Sequence, residues 1–154
     1  MKTLRNCLMA LLLLMGFNTV KAQSITNADF EIWDSTAGFD LPLDWVTSDE
    51  VAYLISQTNT RTSYKSSDSH GGDYAITVAT DSIKLGNVTA LWNGYAIYTM
   101  ASKVRPLYLT GFYKANAASG DSNVVQVFVT KWNSSTKKAD IIASGDLQLS
   151  NNTQ

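Results

Sequence analysis

The stretch Val124-Val125-Gln126-Val127-Phe128-Val129-Thr130 limits the fold more than any other part of the chain. Five of its seven residues are β-branched, which lowers their helix propensity and suits a pleated surface. Successive side chains in a strand point to opposite faces. Val125, Val127 and Val129 therefore form one stripe, and Val124, Gln126, Phe128, Thr130 and Trp132 the other. Residues 107–114 behave alike, with Leu107, Leu109 and Tyr113 against Tyr108, Thr110, Phe112 and Lys114. Tyr74, Ile76 and Val78 align in the same way, and residues 30–33, 51–55, 88–92, 95–100 and 141–149 are further candidate strands. Turn signals separate these runs at residues 36–38, 66–72, 93–94, 116–123 and 133–138. Many short strands, polar turns and no helical periodicity between them predict an all-β protein, a two-sheet antiparallel β-sandwich.

The N-terminus predicts export. Lys2 and Arg5 give a positive start, Leu8 to Met15 an unbroken apolar run, and Val20-Lys21-Ala22 a cleavage context with small residues at its outer positions. The apolar run is well short of the ~20 residues that span a bilayer, so it reads as a signal peptide and not an anchor. Cys7 precedes the run, which leaves no lipoprotein cysteine at the junction. The expected organisation is a signal peptide at 1–22 and one β-sandwich domain at 23–154, secreted or on the cell surface and not membrane-spanning.

Cleavage alters the chemistry available. The single cysteine leaves with the leader, so neither a disulfide nor a thiol nucleophile remains. Twelve basic residues become nine against thirteen acids, and the net charge falls from -1 to -4. That balance argues against a nucleic-acid partner, because phosphate binding needs a basic footprint. Residues 23–82 carry ten acids and two bases, and residues 83–154 three acids and seven bases, an asymmetry that sheets can mix in space.

Three ordered blocks carry a resemblance. Asn27-Ala28-Asp29-Phe30-Glu31-Ile32-Trp33, then Leu41-Pro42-Leu43-Asp44-Trp45, resembles the N-x-x-F-E-x-W … P-x-x-W opening of secreted jelly-roll modules related to carbohydrate-binding modules of the galactose-binding-like type. His70-Gly71-Gly72-Asp73-Tyr74-Ala75-Ile76 is similar to their S-G-x-Y-A-L element. Residues 106–114, Pro-Leu-Tyr-Leu-Thr-Gly-Phe-Tyr-Lys, with Gly120-Asp121 after them, are similar to the P-x-x-L-x-G-Y-Y-K … G-D stretch of the PCMD carbohydrate metabolism domain of Bacteroidetes surface proteins. The resemblance implies a jelly roll with Trp33 and Trp45 in its core. It also implies a structural Ca2+ held by Glu31 and the loop containing Asp73, since calcium takes six to eight oxygen ligands that such loops can supply. The alternative for Glu31 is a hydrogen bond or salt bridge at a strand end. Such domains continue to a closing L-x-V-D-D element, which is not found before Asn151-Asn152-Thr153-Gln154. The chain is then either a truncated product lacking its closing strands or a shortened relative with an open edge.

No enzyme is expected. His70 is the only histidine and precedes two glycines, where a turn residue is the simple reading. Glu31 and Glu50 are the only glutamates, and no pair of carboxylates stands in a glycosidase-like context. Aromatics that alternate with or adjoin polar residues suit a sugar, whose apolar C–H face stacks on a ring while amides and carboxylates read its hydroxyls. Trp132, Phe128, Gln126, Tyr108, Phe112 and Trp92 are the candidate carbohydrate-binding residues, with a polysaccharide or surface glycan as ligand. The alternative is ordinary packing against further strands or a neighbouring surface protein, in a structural or adhesive domain without a sugar site. The sequons at Asn87, Asn133 and Asn151 carry no weight in a bacterial-type exported chain.

Overall fold

A computed structural model describes residues 24–57, 60–102, 106 and 108–151. The leader and cleavage junction at 1–22, and Leu107, lie outside the described residues. The described residues are mostly β, as the alternation predicts, in five antiparallel two-stranded sheets that suit a sandwich-like all-β fold. In chain order the elements are β1 (Trp33–Asp34), β2 (Leu41–Pro42), β3 (Val46–Thr47), α1 (Ser48–Ser56), β4 (Ser63–Ser66), β5 (Ala75–Val78), β6 (Asp81–Leu85), β7 (Val88–Trp92), β8 (Ala96–Ile97), β9 (Asn123–Asn133) and β10 (Lys138–Leu149). The pairs are β1–β2, β3–β8, β4–β5, β6–β7 and β9–β10. Among the described residues no helix is long and apolar enough to cross a membrane.

The candidate strand at residues 51–55 is not one. Those residues lie inside α1 and not in a strand. Thr47 caps the helix, its hydroxyl accepting the Glu50 N–H at 3.3 Å, and Thr47-Ser48-Asp49-Glu50 is the Thr-x-x-Glu pattern of a capping box. Asp49 and Glu50 also place negative charge in the first turn, where the helix dipole favours it. The helix stops where Gln57 turns left-handed at φ 54° and returns its N–H to Tyr53 O at 2.9 Å. Tertiary fit, not apolar spacing, holds α1, for Ala52 is fully buried while Leu54 and Ile55 face out.

Other elements differ in extent. Residues 108–114 form no ladder, and of residues 95–100 only Ala96 and Ile97 pair, with Thr47 and Val46. Strand β4 arises in a segment with no alternating apolar pattern, and β6 carries only the short alternation of Ile83 and Leu85. The tight β6–β7 hairpin turns through Gly86 and Asn87, with Gly86 at φ 63°. Gly94 is fixed by proximity, because a Cβ there would stand 2.1 Å from Thr62 O and 2.5 Å from Ala79 N.

The opening motif is a clamp. Asn27 Nδ2 donates to Ile32 O (2.9 Å) and Leu43 O (3.0 Å), and Asn27 Oδ1 accepts the Ile32 N–H at 2.9 Å. The Trp45 indole N–H reaches Asn27 O at 3.2 Å, and the Trp33 indole N–H reaches Phe30 O. The Trp45 ring lies 4.7 Å from Phe30 and 5.2 Å from Tyr98, centroid to centroid. Trp33 and Trp45 are half-buried, so both are wall residues and not the sealed core that the resemblance implies. Among the described residues the deepest are Ile83 and a set of small or polar residues, Ala52, Thr47, Ser48 and Thr62, all essentially inaccessible.

Candidate functional site

Strand β9 presents its alternate faces as the pattern requires. Its register with β10 sets Trp132 opposite Ala139, Thr130 opposite Ile141, Phe128 opposite Ser144 and Gln126 opposite Asp146. A shift between Ile141 and Ala143 leaves Ile142 as a bulge. The partners of the two aromatics are small, so the rings stand clear: Trp132 is 65% exposed and Phe128 55%. Four residues of strand separate them by about 13 Å. At the loop end of the hairpin an open cleft of about 290 Å³ is lined by Lys131, Trp132, Asn133, Ser134, Asp140 and Ile142. Asn133 shapes it, donating to Asp140 Oδ2 at 2.8 Å and accepting the N–H groups of Ser135 and Thr136 at 3.0 and 3.2 Å.

The remaining candidates stand elsewhere. Tyr108 and Phe112, 81% and 77% exposed, belong to the irregular segment before β9. Phe112 stacks on His70, with centroids 3.5 Å apart and planes 6° from parallel. Two residues on, the Lys114 ammonium meets both oxygens of Asp68 at 2.7 Å. These two contacts tie the 66–72 loop to residues 112–114, which gives His70 a packing role. Trp92 lies on β7, half-buried, with its indole N–H given to Ser48 O at 3.2 Å. Its contacts run into the body of the protein, so it does not share the β9 face.

Glu31 does meet the glycine loop, and it does so by hydrogen bonding. Its Oε1 accepts the N–H of Asp73 at 2.9 Å and of Tyr74 at 3.0 Å. Gly72 lets the loop close, since its φ is 77° and a Cβ would stand 2.1 Å from Glu31 Oε1. The Asp73 contribution comes from its backbone, and the residue itself is exposed. The Lys65 ammonium sits 3.7 Å from the Tyr74 ring centroid, beside this contact. Among the described residues no group of three His, Cys, Asp or Glu side chains gathers as a metal site.

A buried polar cluster escapes the sequence reading. Asp49, 3% exposed, accepts at one oxygen from the Thr60 hydroxyl (2.8 Å), the Thr62 N–H (2.8 Å), the Thr62 hydroxyl (2.7 Å) and the Ser63 N–H (3.3 Å). Thr62 Oγ1 also lies 2.9 Å from Ser48 Oγ, which accepts the Tyr95 N–H at 3.1 Å. A hydroxyl has one proton, and with that of Thr62 on the carboxylate, Ser48 becomes the donor between the two. The chain runs from the Tyr95 amide through Ser48 and Thr62 to Asp49. The Thr-x-x-Glu pattern at Thr47 is the one signal in the sequence beside it, and such a pattern marks a helix start, not a buried carboxylate. No family model matches the chain, and no curated protein or solved structure does either.

Proposed function

We propose that this chain is a non-catalytic module, exported to the medium or the cell surface, that binds a polysaccharide on the open face of the β9–β10 hairpin. One observation carries the reading. Phe128 and Trp132 stand uncovered on the same strand face, with Thr130 between them and Gln126 beside them. Flat apolar surface interleaved with hydrogen-bonding groups is what a sugar chain requires. The spacing suits an extended chain touching both rings. Tyr108 and Phe112 are secondary contacts in this reading, Trp92 is structural, and a Ca2+ ion at Glu31 stays part of it as a loop-holding ion remote from the ligand. The resemblance to PCMD and galactose-binding-like modules supports it by motif order.

An affinity-gel panel of polysaccharides tests it. The parent chain is retarded by at least one glycan, and Trp132→Ala loses that retardation while its melting curve is unchanged. Loss of one stacking ring costs about 1–3 kcal/mol by analogy with aromatic–base stacking, enough to see in migration. A parent that no glycan retards overturns the reading. A structural or adhesive domain is the second reading, favoured by a specific observation: Val125 and Leu147, on the opposite face of the same hairpin, are also exposed.

A further inference from the structure

The β9–β10 hairpin is a two-stranded sheet with two outer edges, and the edges differ. Unpaired edges invite strand addition, and proteins blunt them with bulges, charges and breaks in the strand. Strand β10 has all of these: the bulge at Ile142, Gly145, and the carboxylates Asp140 and Asp146. Strand β9 runs eleven residues without bulge, glycine or proline, and Lys131 is its only charge.

We propose that the outer edge of β9 pairs antiparallel with the same edge of a second copy of this chain, about a two-fold axis through Phe128. The sequence of β9 selects this occupant. Phe128 is the middle residue of Asn123–Asn133, so full antiparallel overlap of two copies sets Phe128 on Phe128. The same operation sets Val127 on Val129, Gln126 on Thr130, Val124 on Trp132 and Asn123 on Asn133. Apolar meets apolar and polar meets polar, and cross-strand pairs of this kind stabilise sheets. Lys131 faces Val125, with no like charge opposite. Full overlap of two β10 strands would instead set Asp140 and Asp146 on Leu147 and Ile141, across two bulges. A two-fold edge contact closes on itself and does not propagate. Its product is a four-stranded antiparallel sheet, in the size range where sheets become independently stable. Edge pairing leaves both sheet faces open, so it does not depend on the glycan reading.

Sedimentation equilibrium of the full chain over the micromolar range tests the proposal, with circular dichroism as the check on folding. The parent sediments as a dimer. Phe128→Lys and Phe128→Glu each give monomers with the parent's spectrum, because each puts two like charges face to face at the axis. Their equimolar mixture regains the dimer, since Lys then faces Glu. A parent that stays monomeric or forms open-ended polymers overturns the proposal. So does a dimer that survives both substitutions, or a mixture that remains monomeric.

Discussion

Around the start of α1, side chains bind backbone and one another, whereas in the β9–β10 hairpin backbone binds backbone and the side chains face out. In the first region Asp49 alone accepts four hydrogen bonds from three residues of another segment, and Ser48 adds bonds to Tyr95 and Thr62. In the second, an eleven-step register holds two long strands whose large residues remain exposed. A two-stranded hairpin alone is marginal in water, so its order rests on the ladder and on whatever it later meets. The first region has the character of a structural anchor and the second that of a contact surface.

The largest test of that contrast is Asp49→Ala. It strips the acceptor from buried hydroxyl and amide donors, each costing about 1–3 kcal/mol when left unpaired, so a loss of about 3–5 kcal/mol is expected. Urea unfolding followed by tryptophan fluorescence measures it, and a variant as stable as the parent would break the comparison. Trp45→Ala comes next. Truncating a buried tryptophan costs about 3–5 kcal/mol, and the half-buried position of Trp45 puts it near the lower end, at about 3 kcal/mol. An unchanged midpoint would show that the clamp with Asn27 carries no weight.

Glu31→Gln has a smaller effect. The amide oxygen can still accept from the 73 and 74 amides but loses the charge-assisted part, about 1 kcal/mol. Running the parent and this variant with calcium and with a chelator sharpens the result. If the ion binds, calcium raises the parent's melting temperature and not the variant's; coincident parent curves retire the ion. Smallest is the stability effect of Trp132→Ala. An exposed ring on an unpacked face contributes no more than about 0.5 kcal/mol, and a loss of several kcal/mol would show that Trp132 packs in solution.

Legibility in the sequence follows the same division. β9, β5 and β7 were readable because alternation and β-branching act within a strand, and the register of β9 on β10 only had to keep it. The face carrying Phe128 and Trp132 was readable for the same reason. Residues 51–55 were not. Val51-Ala52-Tyr53-Leu54-Ile55 is a short apolar run that a strand or a helix can use, and the cap at Thr47 with the buried bonds of Ser48 and Asp49 decides for the helix. Residues 108–114 alternate as well, but Phe112 and Lys114 spend their side chains on His70 and Asp68. Glu31 meets the glycine loop through the amides of Asp73 and Tyr74, the hydrogen-bonded alternative to an ion site, across more than forty residues of chain.

By itself the sequence determined the β class and the two faces of β9, because period-two alternation and β-branching are local and survive any arrangement of the rest. Only the tertiary structure decided that Asp49 is buried, that Trp92 turns inward while Trp132 stays bare, and that 51–55 coil into a helix. Each of these depends on which distant backbone groups arrive beside a side chain, and a buried polar group is tolerated only where those partners complete its hydrogen bonds.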